Sequence, residues 1–239
     1  MLKTLYFSIF FQPIFNLLIG IYLLLGNNLV FAILALTIII KLILWPINQQ
    51  AIRSQRSMQE IQPKIEALKE KFKDDKTKLG QAMMELYKTE KVNPFSSCLT
   101  LVVQLPFLIA VYQVFRQGLS GDHANWLYSF MPPINSLQTV FWGWDLTKRS
   151  LILAVLAGLA QFWQTRMIMK MPKTTVSQKN DTMAMMNKQM LYFMPLITVW
   201  IGASVPSGLT WYWLAFTLLS AFQQYLVMKK KAKLTLLPQ

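Results

Sequence analysis

The sequence predicts an all-α membrane protein: five transmembrane helices around a hydrophilic groove open to the cytoplasm, an interfacial helix before them, and a cytoplasmic helical hairpin. Three observations carry the helices. Of 239 residues, 54% are hydrophobic and only 14% are charged, where a soluble domain carries about 25% charged residues. The apolar residues gather in runs close to the ~20 that cross a bilayer. The one long polar stretch, residues 50–91, keeps a helical apolar period. This composition excludes a disordered or collagen-like chain, and a single cysteine, Cys98, excludes an internal disulfide.

The elements follow in chain order. Leu5–Leu25 is apolar, but Gln12–Pro13 interrupts it and Asn16 follows. Proline removes a backbone donor, so this segment reads as a helix over residues 13–25 lying in the membrane interface. The alternative is a true first span. No small-x-small cleavage site precedes Gly26-Asn27-Asn28, so the segment is expected to stay in the mature chain. Spans are expected over residues 29–47, 95–115, 151–169, 187–204 and 208–228, with a basic tail at 229–239, all within one domain of residues 1–239.

The hairpin, residues 50–91, places Met58, Ile61, Ile65, Leu68 and Phe72 at spacings of 3, 4, 3 and 4, and Leu79, Met83 and Leu86 resume the pattern after Asp74-Asp75. That is a coiled-coil-like seam. Asp74 and Asp75 suit a turn and an N-cap, and Pro63 should kink or restart the first helix. The hairpin is a docking candidate through Arg53, Arg56, Lys64, Lys69, Lys78 and Lys88, the alternative being a solvated connector.

The net charge is +14, and nearly all the basic residues lie outside the apolar runs. Their partners are therefore read as anionic lipid headgroups and ribosomal RNA, not a specific DNA. Under five spans, the hairpin's ten Lys and Arg, the five of Arg166–Lys188 and Lys229, Lys230, Lys231 and Lys233 share one side, with Lys3, Arg116, Lys148 and Arg149 on the other. Positive charge stays inside. The hairpin and C-terminus are thus expected in the cytoplasm and the N-terminus outside.

No Asp or Glu falls in any expected span. Ion-coupled transporters and intramembrane proteases need carboxylates or histidines at depth, so the chain reads as a non-enzyme without metal or cofactor. The spans carry neutral polar stripes instead: Ser97, Thr100 and Gln104; Gln161, Gln164 and Thr165; Thr210, Trp213, Thr217, Ser220 and Gln224. The first span adds a cation, Lys41, with Thr37 and Asn48 on its face. Each stripe alone fits interhelical hydrogen bonding. Together, with Lys41, they point to a shared hydrated cavity. The alternative for Lys41 is snorkelling to the cytoplasmic interface.

Lys41-Leu42-Ile43-Leu44-Trp45-Pro46-Ile47, Gln62-Pro63-Lys64-Ile65, Met84-Glu85-Leu86-Tyr87-Lys88 and Lys91-Val92-Asn93-Pro94 resemble the YidC-type membrane protein insertases of the Oxa/Alb superfamily. So do Gln104-Leu105-Pro106, Met194-Pro195, Pro206-Ser207-Gly208-Leu209, Tyr212-Trp213 and Gln223-Gln224, in that order. The resemblance covers residues 10–230. It implies a five-span core with an interfacial helix, a mobile hairpin, and a positively charged groove open to cytoplasm and lipid but closed outside. It also implies nascent membrane proteins as clients, acting alone or beside the Sec translocon, and ribosome binding. Groove residues on this reading are Lys41, Thr37, Thr100, Gln104, Gln161, Tyr212, Trp213 and Thr217. The family commonly has arginine where Lys41 stands; lysine keeps the charge but loses the bidentate fork. Without a large extracytoplasmic domain, lipid-modified cysteine or transit peptide, a minimal form in a bacterial plasma membrane is expected. The rival readings are a small-solute channel or carrier and a purely structural assembly factor.

Overall fold

The computed structural model describes residues 2–93, 96–118, 126–134, 137–141, 143–169 and 181–235. The chain opens with a single rod: α1 (Leu2–Tyr6), a π turn (Phe7–Phe11) and α2 (Gln12–Leu24). Helix therefore begins at Leu2, well before the expected start at Pro13. The π turn is the physical reason. Gln12 N–H donates to the Phe7 carbonyl, five residues back, and this wider loop meets Pro13 just as it enters α2. A proline in the first turn needs no donor of its own. By length and composition, Thr4–Leu24 is long and apolar enough to cross a membrane.

The rod ends where Gly26 (φ 68°) and Asn27 (φ 63°) take left-handed backbone. Asn27 N–H donates to the Tyr22 carbonyl at 2.9 Å and Gly26 N–H to that of Leu23, the Schellman closure. Asn28 then caps α3 (Leu29–Ile43), its side chain accepting from Phe31 N–H at 3.2 Å. Three polar residues thus reverse the chain.

α3 stops at Ile43, short of the expected Ile47, and α4 (Trp45–Glu60) leaves at 65°. Pro46 sits in the first turn of α4; it has no N–H and its ring crowds the Leu42 carbonyl. The elbow at Leu44 follows. In the hairpin, Pro63 restarts the helix as α5 (Gln62–Lys71). Asp75 caps α6 (Lys76–Thr89), accepting from Thr77 and Lys78 N–H at 3.1 and 3.0 Å. The Lys78 N–H first, then the Lys78 ammonium and the Thr77 N–H, hold its carboxyl below the ordinary carboxylate range. The hairpin's small core is at its base: Ile61, Ile65 and Val92, with Met58, Met83, Leu86 and Tyr87 around them.

α7 (Ser96–Gln113) runs into a second π turn (Val114–Gly118). An antiparallel pair follows, β1 (Val140–Phe141) and β2 (Trp144–Asp145), with Val140 opposite Asp145. The bundle closes with α8 (Leu151–Met169), α9 (Asp181–Ser204) and α10 (Ser207–Thr235). α10 continues without a break through residue 228, where a separate tail was expected. α8 and α9 pack closely: a Cβ on Gly158 would collide with Val199 and lie 3.1 Å from the Pro195 carbonyl oxygen. The main core joins α2, α3, α7 and α10 through Phe15, Leu18, Ile33, Leu36, Val111 and Tyr212. Leu153, Ala157 and Ala160 of α8 pack on Leu214 of α10. Besides the rod, α3 and α4 together are long and apolar enough to form one bent span.

Candidate functional site

Polar residues gather along one face of α10. Tyr212, Phe216 and Ser220 recur every four residues, and Gln223 continues the row, so they stack along one side of the helix. At Ser220 the row meets α3. Lys41 is only 5% exposed. Its ammonium donates to Ser220 Oγ at 2.7 Å and lies 4.4 Å from the centre of the Phe216 ring. The Ser220 hydroxyl in turn donates a hydrogen bond to the Phe216 carbonyl at 2.7 Å. No carboxylate pairs with Lys41 among the described residues. A buried cation with a hydroxyl and an aromatic face but no counter-ion is electrostatically unfinished.

The second pair is about 12 Å further along α10, eight residues at 1.5 Å each. Gln104 Nε2 of α7 donates to Tyr212 Oη at 3.2 Å, and Gln104 Oε1 is buried with no acceptor role filled. Beyond Lys41, at the elbow, Gln223 Nε2 donates to the Trp45 carbonyl at 3.1 Å, while its Oε1 and Asn48 Nδ2 are buried without partners. Four helices, α3, α4, α7 and α10, therefore share a column of polar groups with several unfilled hydrogen-bonding positions. In an apolar medium such positions are costly unless water or a polar ligand enters.

The structure brings Lys41, Gln104 and Tyr212 into this column. Thr37 is buried one turn from Lys41, but its hydroxyl bonds back to the Ile33 carbonyl at 2.6 Å. Thr217 is buried and Trp213 half-buried on the neighbouring face of α10. Gln161 is half-buried on α8, its carbonyl accepting from Thr165. The side chain of Thr100 lies outside the described residues. Phe216 and Gln223 were missed as site residues. Phe216 carries no polar signal, and Gln223 is next to Gln224, so the apolar period does not say which of the two faces inward. In the hairpin, Arg56 pairs with Glu60 at 3.0 Å, Lys64 with Glu90, and Lys78 with Asp75 at 3.1 Å. Arg53, Lys69 and Lys88 have no ion pair among the described residues.

Residues 20–234 match the family model of the 60Kd inner membrane protein. The chain belongs to the 60Kd inner membrane protein family. Its similarity to curated members is even: it is 36% identical over 221 residues to the membrane protein insertase YidC of Ectopseudomonas mendocina (strain ymp), covering 92% of this chain and 34% of that protein. To the YidC of Francisella tularensis subsp. novicida (strain U112) it is 35% identical over 222 residues, covering 92% of this chain and 36% of that one. The chain thus spans about a third of the length of these relatives. Among solved structures, it resembles an active YidC insertase crystal structure with its first transmembrane domain resolved, with a TM-score of 0.60 and 26% identity over 89% of this chain and 45% of that one. The family match covers the column from Lys41 to Gln223.

Proposed function

We propose that this chain is a membrane protein insertase of the bacterial plasma membrane, acting without a cofactor or catalytic residue. The observation that carries the reading is Lys41, buried between α3 and α10 with no counter-ion among the described residues, in a chain whose curated relatives are named insertases. A lysine at the centre of a span costs roughly 2.5–3.5 kcal/mol to insert. A groove opening at the elbow offsets that cost with water, and the charge then attracts the acidic or polar part of a client. Gln104 Oε1 and Gln223 Oε1 supply hydrogen-bond acceptors above and below it. Once the polar segment has left the groove, the client's apolar helix moves into lipid.

In this reading the chain crosses the bilayer at α3, α7, α8, α9 and α10, with the hairpin and C-terminus in the cytoplasm. The hairpin docks ribosomes through Arg53, Lys69 and Lys88, and Arg56, Lys64 and Lys78 hold its shape. Clients arrive directly or from a Sec translocon. Lys229 and its basic neighbours add attraction to anionic lipid, at about 1 kcal/mol per cation near the surface.

Photoreactive probes at Gln104 and Trp213 test the reading. Both should crosslink ribosome-bound nascent chains that carry a transmembrane segment, and neither should crosslink a soluble nascent chain. Crosslinking to neither kind, together with solute flux through reconstituted vesicles, would favour the channel reading.

A further inference from the structure

α10 is unbroken from Ser207 to Thr235 and lies against both arms of the elbow, α3 and α4. A polar tie fastens each arm to it. Before the bend, the Lys41 ammonium donates to Ser220 Oγ at 2.7 Å; after it, Gln223 Nε2 donates to the Trp45 carbonyl at 3.1 Å. The two ties are about one helical turn apart on either side, so α10 acts as a splint across the bend. The bend itself is the weakest point of the α3–α4 pair. Pro46 has no N–H to offer the Leu42 carbonyl. The ladder is intact again at Asn48, whose N–H donates to the Leu44 carbonyl at 2.9 Å. With a backbone bond missing there, side chains must set the 65° angle.

Those side chains are unfinished. Gln223 is wholly buried and Asn48 is buried beside the bend. Gln223 Oε1 lacks a donor and Asn48 Nδ2 lacks an acceptor among the described residues. Each is what the other requires. Asn48 is one turn along α4 from the carbonyl that Gln223 holds, so a rotation of α4 about Leu44 can exchange one partner for the other. Unpaired buried groups are costly, and that exchange pairs both at once, while the Trp45 carbonyl remains within its own helix. Each position gives the Gln223 amide one hydrogen bond, so neither is far below the other in energy.

We propose that Gln223 is the positioning residue of the elbow, a two-position latch that holds α4, and with it the hairpin, at one angle through the Trp45 carbonyl and at a second through Asn48 Nδ2. The function of the latch rests on the insertase reading, in which Gln223 Oε1 also accepts from a client. A client donor on that oxygen competes with Asn48 and returns the hairpin to the first angle. The hairpin's direction then reports whether the column is occupied, because a ligand that favours one of two states shifts the population toward it.

The test uses the full chain in lipid nanodiscs, with Cys98→Ser and spin labels on Ala67→Cys of α5 and Leu226→Cys of α10, both exposed. Electron–electron distances between the labels read the elbow angle. The parent should show two distances. Asn48→Ala should keep only the one that matches the structure, and Gln223→Met should give a single broad distribution. A residue that only packs would lower Tm without changing the number of distances. A ribosome-bound nascent chain with a transmembrane segment should raise the parent's ratio of first to second distance at least threefold and leave that of Gln223→Met unchanged. Should Gln223→Met fail to fold, Asn48→Ala alone decides. A parent with one distance that Asn48→Ala does not alter, or a Gln223→Met distribution equal to the parent's, overturns the latch. Two distances that ignore a bound nascent chain overturn its coupling to the column. A parent that binds no nascent chain counts against the insertase reading instead, and the distances without client still judge the latch.

Discussion

Lys41 shows how far a single residue was legible. The sequence marked it as the one charge within an apolar run and aligned it with Thr37, but which neighbours it would meet depended on the rotation of a second helix. The expected stripe on α10 ran through Trp213, Thr217 and Ser220. The face that meets Lys41 runs through Tyr212, Phe216 and Ser220. Only Ser220 is common to both, because an apolar helix with polar residues on two adjacent faces has no period that selects one. On the proposed mechanism, Lys41→Arg keeps insertion activity. Lys41→Ala lowers it roughly tenfold for clients with acidic translocated segments, a loss within the ~1–4 kcal/mol of a close charge pair between water and a protein surface. Lys41→Glu is worse still. An in-vitro insertion assay with acidic and neutral clients checks the ranking; Lys41→Ala at parental activity would return Lys41 to the role of a snorkelling residue.

At the scale of elements, caps and breaks were the most readable features. Pro63 restarting α5 and Asp75 capping α6 follow from local chemistry that tertiary contacts do not override. The elbow at Leu44 was not anticipated, although Pro46 was in plain view, because the apolar run continues past it and hydropathy does not register a bend. Val92 was also missed from the hairpin's core. It packs there because Lys91 adopts a left-handed backbone (φ 53°) and lets Val92 N–H reach the Tyr87 carbonyl at 3.0 Å. A non-glycine residue in that region costs about 1–2 kcal/mol, so Lys91→Gly should stabilise the hairpin by about 1 kcal/mol, read as slower amide exchange around Ile61 and Ile65. At the end of β2, Asp145 accepts from the Thr147 hydroxyl at 2.6 Å and from its N–H at 3.0 Å. These bonds, the hydroxyl first, with Lys148 adding charge, hold its carboxyl below the ordinary value of 3.8. A depressed value means the stabilisation is present above the unfolded carboxyl's range and is lost as pH falls through the folded one. Asp145→Asn should therefore lower Tm at pH 6, and the difference from the parent should close on acidification below that range. A difference that persists unchanged in acid would assign the effect to something other than ionisation.

For the whole molecule, two separate cores set what can be removed. The hairpin's cluster around Ile61 and Val92 shares no residue with the main core of α2, α3, α7 and α10, and Ser54 Oγ reaches the Asn93 carbonyl at 3.3 Å across the hairpin's base. On the proposed function, deleting Gln55–Glu90 behind a short linker should leave a folded, monodisperse membrane protein that no longer inserts clients; full insertion activity would remove the proposed docking role. The elbow at Leu44 has a further consequence, for the lipid around the protein. α3 has 15 residues, about 22 Å of helix, against a hydrocarbon layer of about 30 Å. On the proposed function, a bilayer that thins beside a helix this short leaves a client's polar segment fewer ångströms of oil to cross next to α3 than in the undisturbed membrane.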